Sequence, residues 1–364
     1  MSILLFIIIL AALVLVHELG HFIAAKRSGV RVDEFGIGFP PQLWKKKIGE
    51  TVYSFNAFPI GGFIKIFGED PTHESLKGKD SARSLTHKKR YVQAWIISAG
   101  IVFNLLFAWM LISIGFMWGL PYSVDDSAYG ARVQNAELTI TQVMPKSPAK
   151  KVGLKGGDII ESLSSGSDTL SSPRVNTTQK FIASHDSVSL TYLRGTQTKT
   201  ISVSGEEGFV DGRRAIGISM DIVGTLKLPI HEALFVGLTT TASMTYGMTL
   251  GILDFFKNIL IGQADFREVS GPVGIVGIVS DASALGFLHL ISLTAIISIN
   301  LAIINLLPFP ALDGGRLFFL LIEAIKRSPI KPEITNIANG IGFLILIAFI
   351  VFITFNDVMK LFQA

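Results

Sequence analysis

The chain of 364 residues is 49% hydrophobic and 16% charged, with a mean hydropathy of +0.51; this excludes an ordinary soluble domain and predicts an integral membrane protein. Its net charge of +4 and pI of about 9.1 do not indicate a nucleic-acid partner, because Lys and Arg lie mostly beside apolar runs and form no recognition motif. The absence of cysteine excludes disulfides and thiolate metal sites, leaving His and carboxylates as the strong ligands for a transition metal.

A helix crossing the bilayer needs about 20 mainly apolar residues. Four runs satisfy this, at about 3–25, 92–120, 284–308 and 337–355. The first (transmembrane helix 1, 1–25) lacks a basic start and a small-residue cleavage site, so it reads as a retained span rather than a removed leader. Inside it stands His17-Glu18-Leu19-Gly20-His21. Positions i and i+4 share one helix face, so both imidazoles can reach one zinc ion, while Glu18 sits where a general base would act on water without ligating the metal. Ionisable groups within a bilayer cost about 2.5–3.5 kcal/mol each, so three of them in five residues call for a function. The alternative is polar bonding to neighbouring helices.

Residues 26–91 carry Lys26, Arg27, Arg31, Lys45, Lys46, Lys47 and further cations up to Arg90, which predicts a cytoplasmic loop. Within it, residues 35–41 and 51–67 alternate in the manner of short strands, and Gly61 and Gly62 mark a bend or a close backbone approach. Transmembrane helix 2 (92–120) contains Asn104 and transmembrane helix 3 contains Asn300; both are expected to bond neighbouring helices and are left out of the metal set.

Both termini and the segment 121–226 then face outward. That segment has strand-like stretches at 137–144, 188–193 and 198–203, and residues 162–172 read as a Ser- and Gly-rich loop. Residues 147–160 (SPAKKVGLKGGDII) look like the signature of a bacterial PDZ domain, and Arg214-Ala-Ile-Gly-Ile-Ser219, with Ile216, Gly217 and Ile218 at its centre, is a candidate carboxylate-binding loop. An alternative use of such a domain is steric exclusion of substrates with bulky external portions.

Residues 227–283 are expected to form an amphipathic helix on the membrane surface followed by a Gly-Pro loop at 271–274, read as a turn or re-entrant element. Were 231–262 a fifth span, Asp313 would emerge opposite His21 and could not share its metal. Transmembrane helix 3 (284–310) ends in NLLPFPALDGGR, Asn305 to Arg316, where two prolines break the helix. Zinc in a catalytic site usually takes three protein ligands, and Asp313 is the best-placed third; its other use would be to cap the short helix expected within 311–334. Transmembrane helix 4 and the C-terminus occupy 335–364. The remaining histidines, His73, His87, His185, His231 and His289, lack a partner at ligand spacing and are expected at surfaces or interfaces.

HELGH in the first span, with NLLPFPALDGGR at the end of the third, resembles the site-2 protease family of intramembrane zinc metalloproteases. The likeness is greatest to its bacterial branch with an external PDZ domain, the regulator of sigma-E protease type. The resemblance covers most of the chain. It implies a polytopic α-helical membrane protein with four spans, a membrane-associated β-hairpin and one extracytoplasmic α+β PDZ domain, in a bacterial cytoplasmic membrane. It implies zinc on His17, His21 and Asp313, Glu18 as catalytic base, and Asn305 with the hairpin around Gly61 and Gly62 in substrate binding. It also implies pre-trimmed single-pass membrane proteins as substrates, such as anti-sigma factors and remnant signal peptides, in regulated intramembrane proteolysis. A non-catalytic PDZ scaffold would not need Glu18, and a zinc transporter would spread polar residues along several spans. Oligomeric state has no signature in the sequence.

Overall fold

The computed structural model describes residues 2–69, 73–125, 129–144, 146–210, 213–263, 266 and 269–363. Ten α-helices are described: α1 (Ser2–Arg27), α2 (His73–Lys77), α3 (Arg90–Trp118), α4 (Pro148–Lys151), α5 (Val175–Ser184), α6 (Ile230–Leu260), α7 (Pro272–Leu285), α8 (Phe287–Leu306), α9 (Asp313–Lys326) and α10 (Pro332–Gln363). The strands are β1 (Val32–Ile48), β2 (Thr51–Ile66), β3 (Leu120–Ser123), β4 (Gln134–Val143), β5 (Ile159–Ser165), β6 (Asp168–Leu170), β7 (Ser187–Arg194), β8 (Gln197–Ser204), β9 (Glu206–Val210), β10 (Arg213–Ala215) and β11 (Ile218–Leu226). They divide into two compact units, one of Met1–Ser113, Leu234–Asp281 and Leu290–Ala364, the other of Ile114–Ala233 and Ala282–His289.

Among the described residues, four helices are long and apolar enough to cross a bilayer: α1, α3, α8 and α10. α6 is not one of them despite its 31 residues. The third apolar run starts later than its sequence suggests, because Gly286 at φ +115° cannot continue a helix and separates α7 from α8. The Gly-Pro segment at 271–274 is not a turn; Pro272 occupies the first position of α7, where its fixed φ suits a helix start and its missing N–H costs nothing.

The first unit holds a hairpin much longer than the expected short strands. β1 bends at Gly38 (φ +79°), so its two halves lie on either side of residues 51–55. Glu34, Phe35, Gly36 and Ile37 have Lys65, Ile64, Phe63 and Gly62 on one side and Val52, Tyr53, Ser54 and Phe55 on the other, while Trp44 to Ile48 pair with Phe55 back to Thr51. Residues 62–66 thus form an outer strand with no partner beyond it among the described residues. Ala24 and Ala25 of α1, Val32, Ile66, Leu85, and Ile96 and Ala99 of α3 make the core that seats this hairpin on the helices.

The second unit contains a sheet in the order β3-β11-β4-β5-β7-β8, with β6 paired to β5. The strand-like stretches of the sequence fall in β4, β7 and β8. The Ser-rich stretch at 162–172 is a correction: most of it is β5 and β6, with Leu163 wholly buried, because the Ser residues line a strand whose apolar member enters the core. Ile140, Leu154, Ile160, Leu163, Leu190 and Ile216 lead that core. Asp158, 1% exposed, is held by Arg194 through two contacts of 2.6 Å and by the Lys155 amide at 2.8 Å.

Candidate metal centre

His17 and His21 lie one turn apart on α1, both buried, with ring centroids 4.8 Å apart and Nε2 atoms separated by 3.2 Å. Asp313 Oδ2 stands 2.9 Å from His17 Nε2 and 3.3 Å from His21 Nε2. Tetrahedral zinc with bonds of about 2.0–2.1 Å places its ligands roughly 3.4 Å from one another, so the three atoms mark one face of such a polyhedron. Asp313 Oδ2 is buried and, although at ion-pair distance from both rings, makes no well-formed hydrogen bond. An oxygen so placed is costly without a cation to face. The donor set therefore fits zinc.

The chain break after α8 delivers Asp313. α8 stops at Leu306, Ala311 turns at φ +77°, and α9 begins at Asp313. Side chains on Gly314 or Gly315 would overlap the carbonyls of Leu306, Leu307 and Phe309, so the glycines let α9 start tight against the end of α8. The helix-capping use of Asp313 is not adopted: Leu312 is the N-cap, it makes no side-chain cap bond, and Asp313 turns to the histidines instead.

One face of α3 serves both rings. His21 Nδ1 lies 2.8 Å from the Ile96 carbonyl oxygen, which can only accept, so the proton is on Nδ1 and the Nε2 lone pair is free. One turn on, a Cβ at Gly100 would come within 2.7–2.8 Å of the His17 ring and closer still to His21 Nε2; only a bare backbone leaves that space open. A further turn on, Asn104 is wholly buried, with Nδ2 3.2 Å from His17 Nδ1. From the sequence alone Asn104 reads as a helix-packing residue. The available signal was its spacing of four from Gly100, which puts both on one face.

A cavity of about 180 Å³ opens beside the three ligand atoms, lined by Glu18, by Phe63, Ile64 and Ile66 of the outer strand, by Ile96 and Ile97, and by Glu69 and Arg316, which form an ion pair. The Ile64 backbone hydrogen-bonds Glu18, and the Ile66 amide turns outward to Glu69 Oε2 at 3.4 Å. Gly62 is close as well: a Cβ there would stand 3.7 Å from Glu18 Cγ. Gly61, at φ +104°, packs beside Val14 and Phe39. Asn305, in the last turn of α8, is half-buried and does not line this cavity. In the second unit the Ile216 side chain is in the core, its carbonyl taken by the Ala149 amide, and the Gly217 carbonyl by the Met144 amide. Ile218 then opens β11, whose residues 218–221 pair, among the described residues, with β4 alone.

Comparison with known proteins bears on this geometry. The family model described as peptidase family M50 matches residues 5–349. The chain belongs to peptidase family M50. A Clostridium perfringens protein provisionally named a zinc metalloprotease is 33% identical over 357 residues, covering 96% of each chain. A Fusobacterium nucleatum protein named in the same way is 30% identical over the full length of both. The regulator of sigma-W protease RasP of Bacillus subtilis is 28% identical over 438 residues, covering 98% of each. This M50 member is accordingly a zinc metalloprotease of the membrane, as the resemblance to the site-2 proteases implied.

Proposed function

We propose that the chain hydrolyses peptide bonds within or beside the transmembrane segment of single-pass proteins already trimmed outside, with zinc held by His17, His21 and Asp313. The observation that carries this is the convergence of three ligand atoms within 3.3 Å beside Glu18, at the foot of an unpaired strand edge. Zinc there supplies Lewis acidity and makes water acidic enough to attack at neutral pH. Glu18 takes the proton of the attacking water on its carboxylate and returns it to the leaving amine.

A helical peptide bond is shielded by its own hydrogen bonds, and a substrate stretch must be drawn out before its carbonyl can be reached. The edge of residues 62–66, with no strand beyond it among the described residues, offers a template on which that stretch adds as a strand, taking over the Ile64 and Ile66 amides from Glu18 and Glu69. Asn305 then holds the far side of the same substrate segment. The second unit acts as a PDZ-type domain, 121–226, in which the open edge of β11 at 218–221 and the Ile216-Gly217-Ile218 loop receive an extended peptide end. That open edge favours peptide capture over simple exclusion by size.

In the proposed topology α1, α3, α8 and α10 cross a bacterial cytoplasmic membrane, the hairpin lies on the cytoplasmic side, and both termini and the second unit lie outside. α6 stays on the outer surface, which keeps α1 and the α8–α9 turn in register. Anti-sigma factors and remnant signal peptides are suitable substrates, because each is a single span with a short external remnant. The regulator of sigma-W protease among the relatives points to the first class.

The test is reconstitution with a single-span reporter, comparing the unaltered chain with Glu18→Gln, and zinc analysis of His17→Ala, His21→Ala and Asp313→Ala. Cleavage lost in Glu18→Gln with zinc retained, and zinc lost in each ligand variant, is the expected pattern. Equal cleavage by Glu18→Gln, or undiminished zinc in Asp313→Ala, overturns the assignment.

A further inference from the structure

The two histidines are not equally provided for. His21 has a carbonyl, that of Ile96, at Nδ1, which can only accept and so fixes the proton there. His17 has at Nδ1 the amide of Asn104, whose two ends are a donor and an acceptor of nearly the same shape. With Nδ2 turned to His17 the amide donates to Nδ1; the neutral ring then carries its proton on Nε2, the atom that must present a lone pair to Asp313's side of the site. The same orientation leaves Asn104 Oδ1 wholly buried with no hydrogen-bond partner. A half-turn of the amide resolves the first of these: Oδ1 accepts the Nδ1 proton, the Nε2 lone pair faces the metal position, and the NH2 group takes the buried place that Oδ1 leaves.

The surroundings hold Asn104 to this task. The Ser298 hydroxyl of α8 donates to the Asn104 backbone carbonyl at 2.8 Å, seating this turn of α3. Gly100, four residues earlier on the same face, lets α3 approach until the amide reaches the ring.

We propose that Asn104 is a positioning residue that sets the tautomer of His17 by accepting its Nδ1 proton through Oδ1. This rests on the reading that His17 is a zinc ligand. Ile96 and Asn104, two turns apart on one helix, then perform the same service for the two rings, one through a backbone oxygen and the other through a side chain.

The experiment is zinc affinity of the full-length, detergent-solubilised protein, measured by competition with a chromophoric chelator. Removing such an outer hydrogen-bond partner weakens metal binding by about 10- to 100-fold. That loss is expected in Asn104→Leu and in Asn104→Ala, whereas Asn104→Asp keeps an acceptor oxygen in place and holds zinc at least as tightly as the unaltered chain. Melting of the zinc-free proteins is measured alongside; where Leu disturbs packing, the smaller Ala variant carries the comparison. Zinc bound as tightly by the Ala and Leu variants as by the unaltered chain overturns the proposal. So does an Asp variant as weak as Ala, because a donor rather than an acceptor would then matter. A zinc-replete His17→Ala overturns the metal-centre reading and this proposal with it; a zinc-free His17→Ala beside a zinc-replete Asn104→Ala overturns this proposal alone.

Discussion

His21 gives its Nδ1 proton to the backbone oxygen of Ile96, 2.8 Å away, and so binds the imidazole to α3 by a contact that no side-chain substitution at residue 96 removes. The next turn of α3 places Gly100 against both rings. Gly100→Ala is therefore expected to push a methyl group into the metal position and abolish zinc binding, while Gly247→Ala, which meets nothing within 4 Å, leaves zinc content unchanged. Metal analysis of the two purified variants checks this.

The alternation along the outer strand puts the amides of Ile64 and Ile66 on its free side. Proline at residue 64 deletes one outward donor without removing a bond to β1, the placement in which an edge strand tolerates it. Ile64→Pro is expected to retain zinc but to cleave a reporter at least about 10-fold more slowly, because it deletes the amide that bonds Glu18 in the free protein and an added strand when substrate is bound. Unchanged cleavage would remove strand addition from the mechanism.

Arg316 and Glu69 join the first turn of α9 to the end of the hairpin across the mouth of the cavity. Arg316→Glu and Glu69→Arg are each expected to lower kcat/KM, and the double exchange to recover part of the loss, with a coupling of about 0.5–3 kcal/mol typical of residues in contact. Additive losses in the cycle would show that the pair does not act as a unit.

Glu50, at the tip of the hairpin, is held by Arg83 and Lys26, which lower its carboxyl from the ordinary 4.5 to about 2. A depressed acid stabilises the fold above its unfolded value and loses that contribution as pH falls through the folded one. Melting temperature is expected to decline between pH 4.5 and about 2. In Glu50→Gln that part of the decline disappears, which thermal melts across the range would reveal.

In the second unit, Arg194→Met leaves Asp158 buried without its guanidinium partner. Breaking a buried pair from one side costs about 3–5 kcal/mol. Faster proteolysis confined to 121–226, with zinc content untouched, is the expected result.

The apolar runs were legible because a bilayer selects for length and composition over some 20 consecutive residues, a signal carried within each segment. HELGH was legible for the same local reason, since two residues four apart on a helix must share a face. Asp313 was found by chemistry, being an acid at a proline-broken helix end. Strand register was not, because β2 folds back between residues 55 and 62, near Gly61 at φ +104°, and the pairing of Glu34 with both Lys65 and Val52 depends on that return. The Ser-rich end of β5, from residue 162, escaped for a related reason, its one buried apolar residue, Leu163, being too little to mark a strand.

By itself the sequence determined the membrane character, the four helices long and apolar enough to cross a bilayer, and the residues proposed as metal ligands and base. Tertiary structure alone decided what surrounds them. The Ile96 carbonyl and the Asn104 amide reach their histidines across 75 and 87 residues of chain. A backbone oxygen has no sequence signature at all, and an asparagine in a span reads equally well as helix packing. Only the crossing of α1 and α3 at Gly100 brings these groups to the two histidines, because a hydrogen bond needs a position within about 3 Å and spacing along one chain cannot fix a position on another helix.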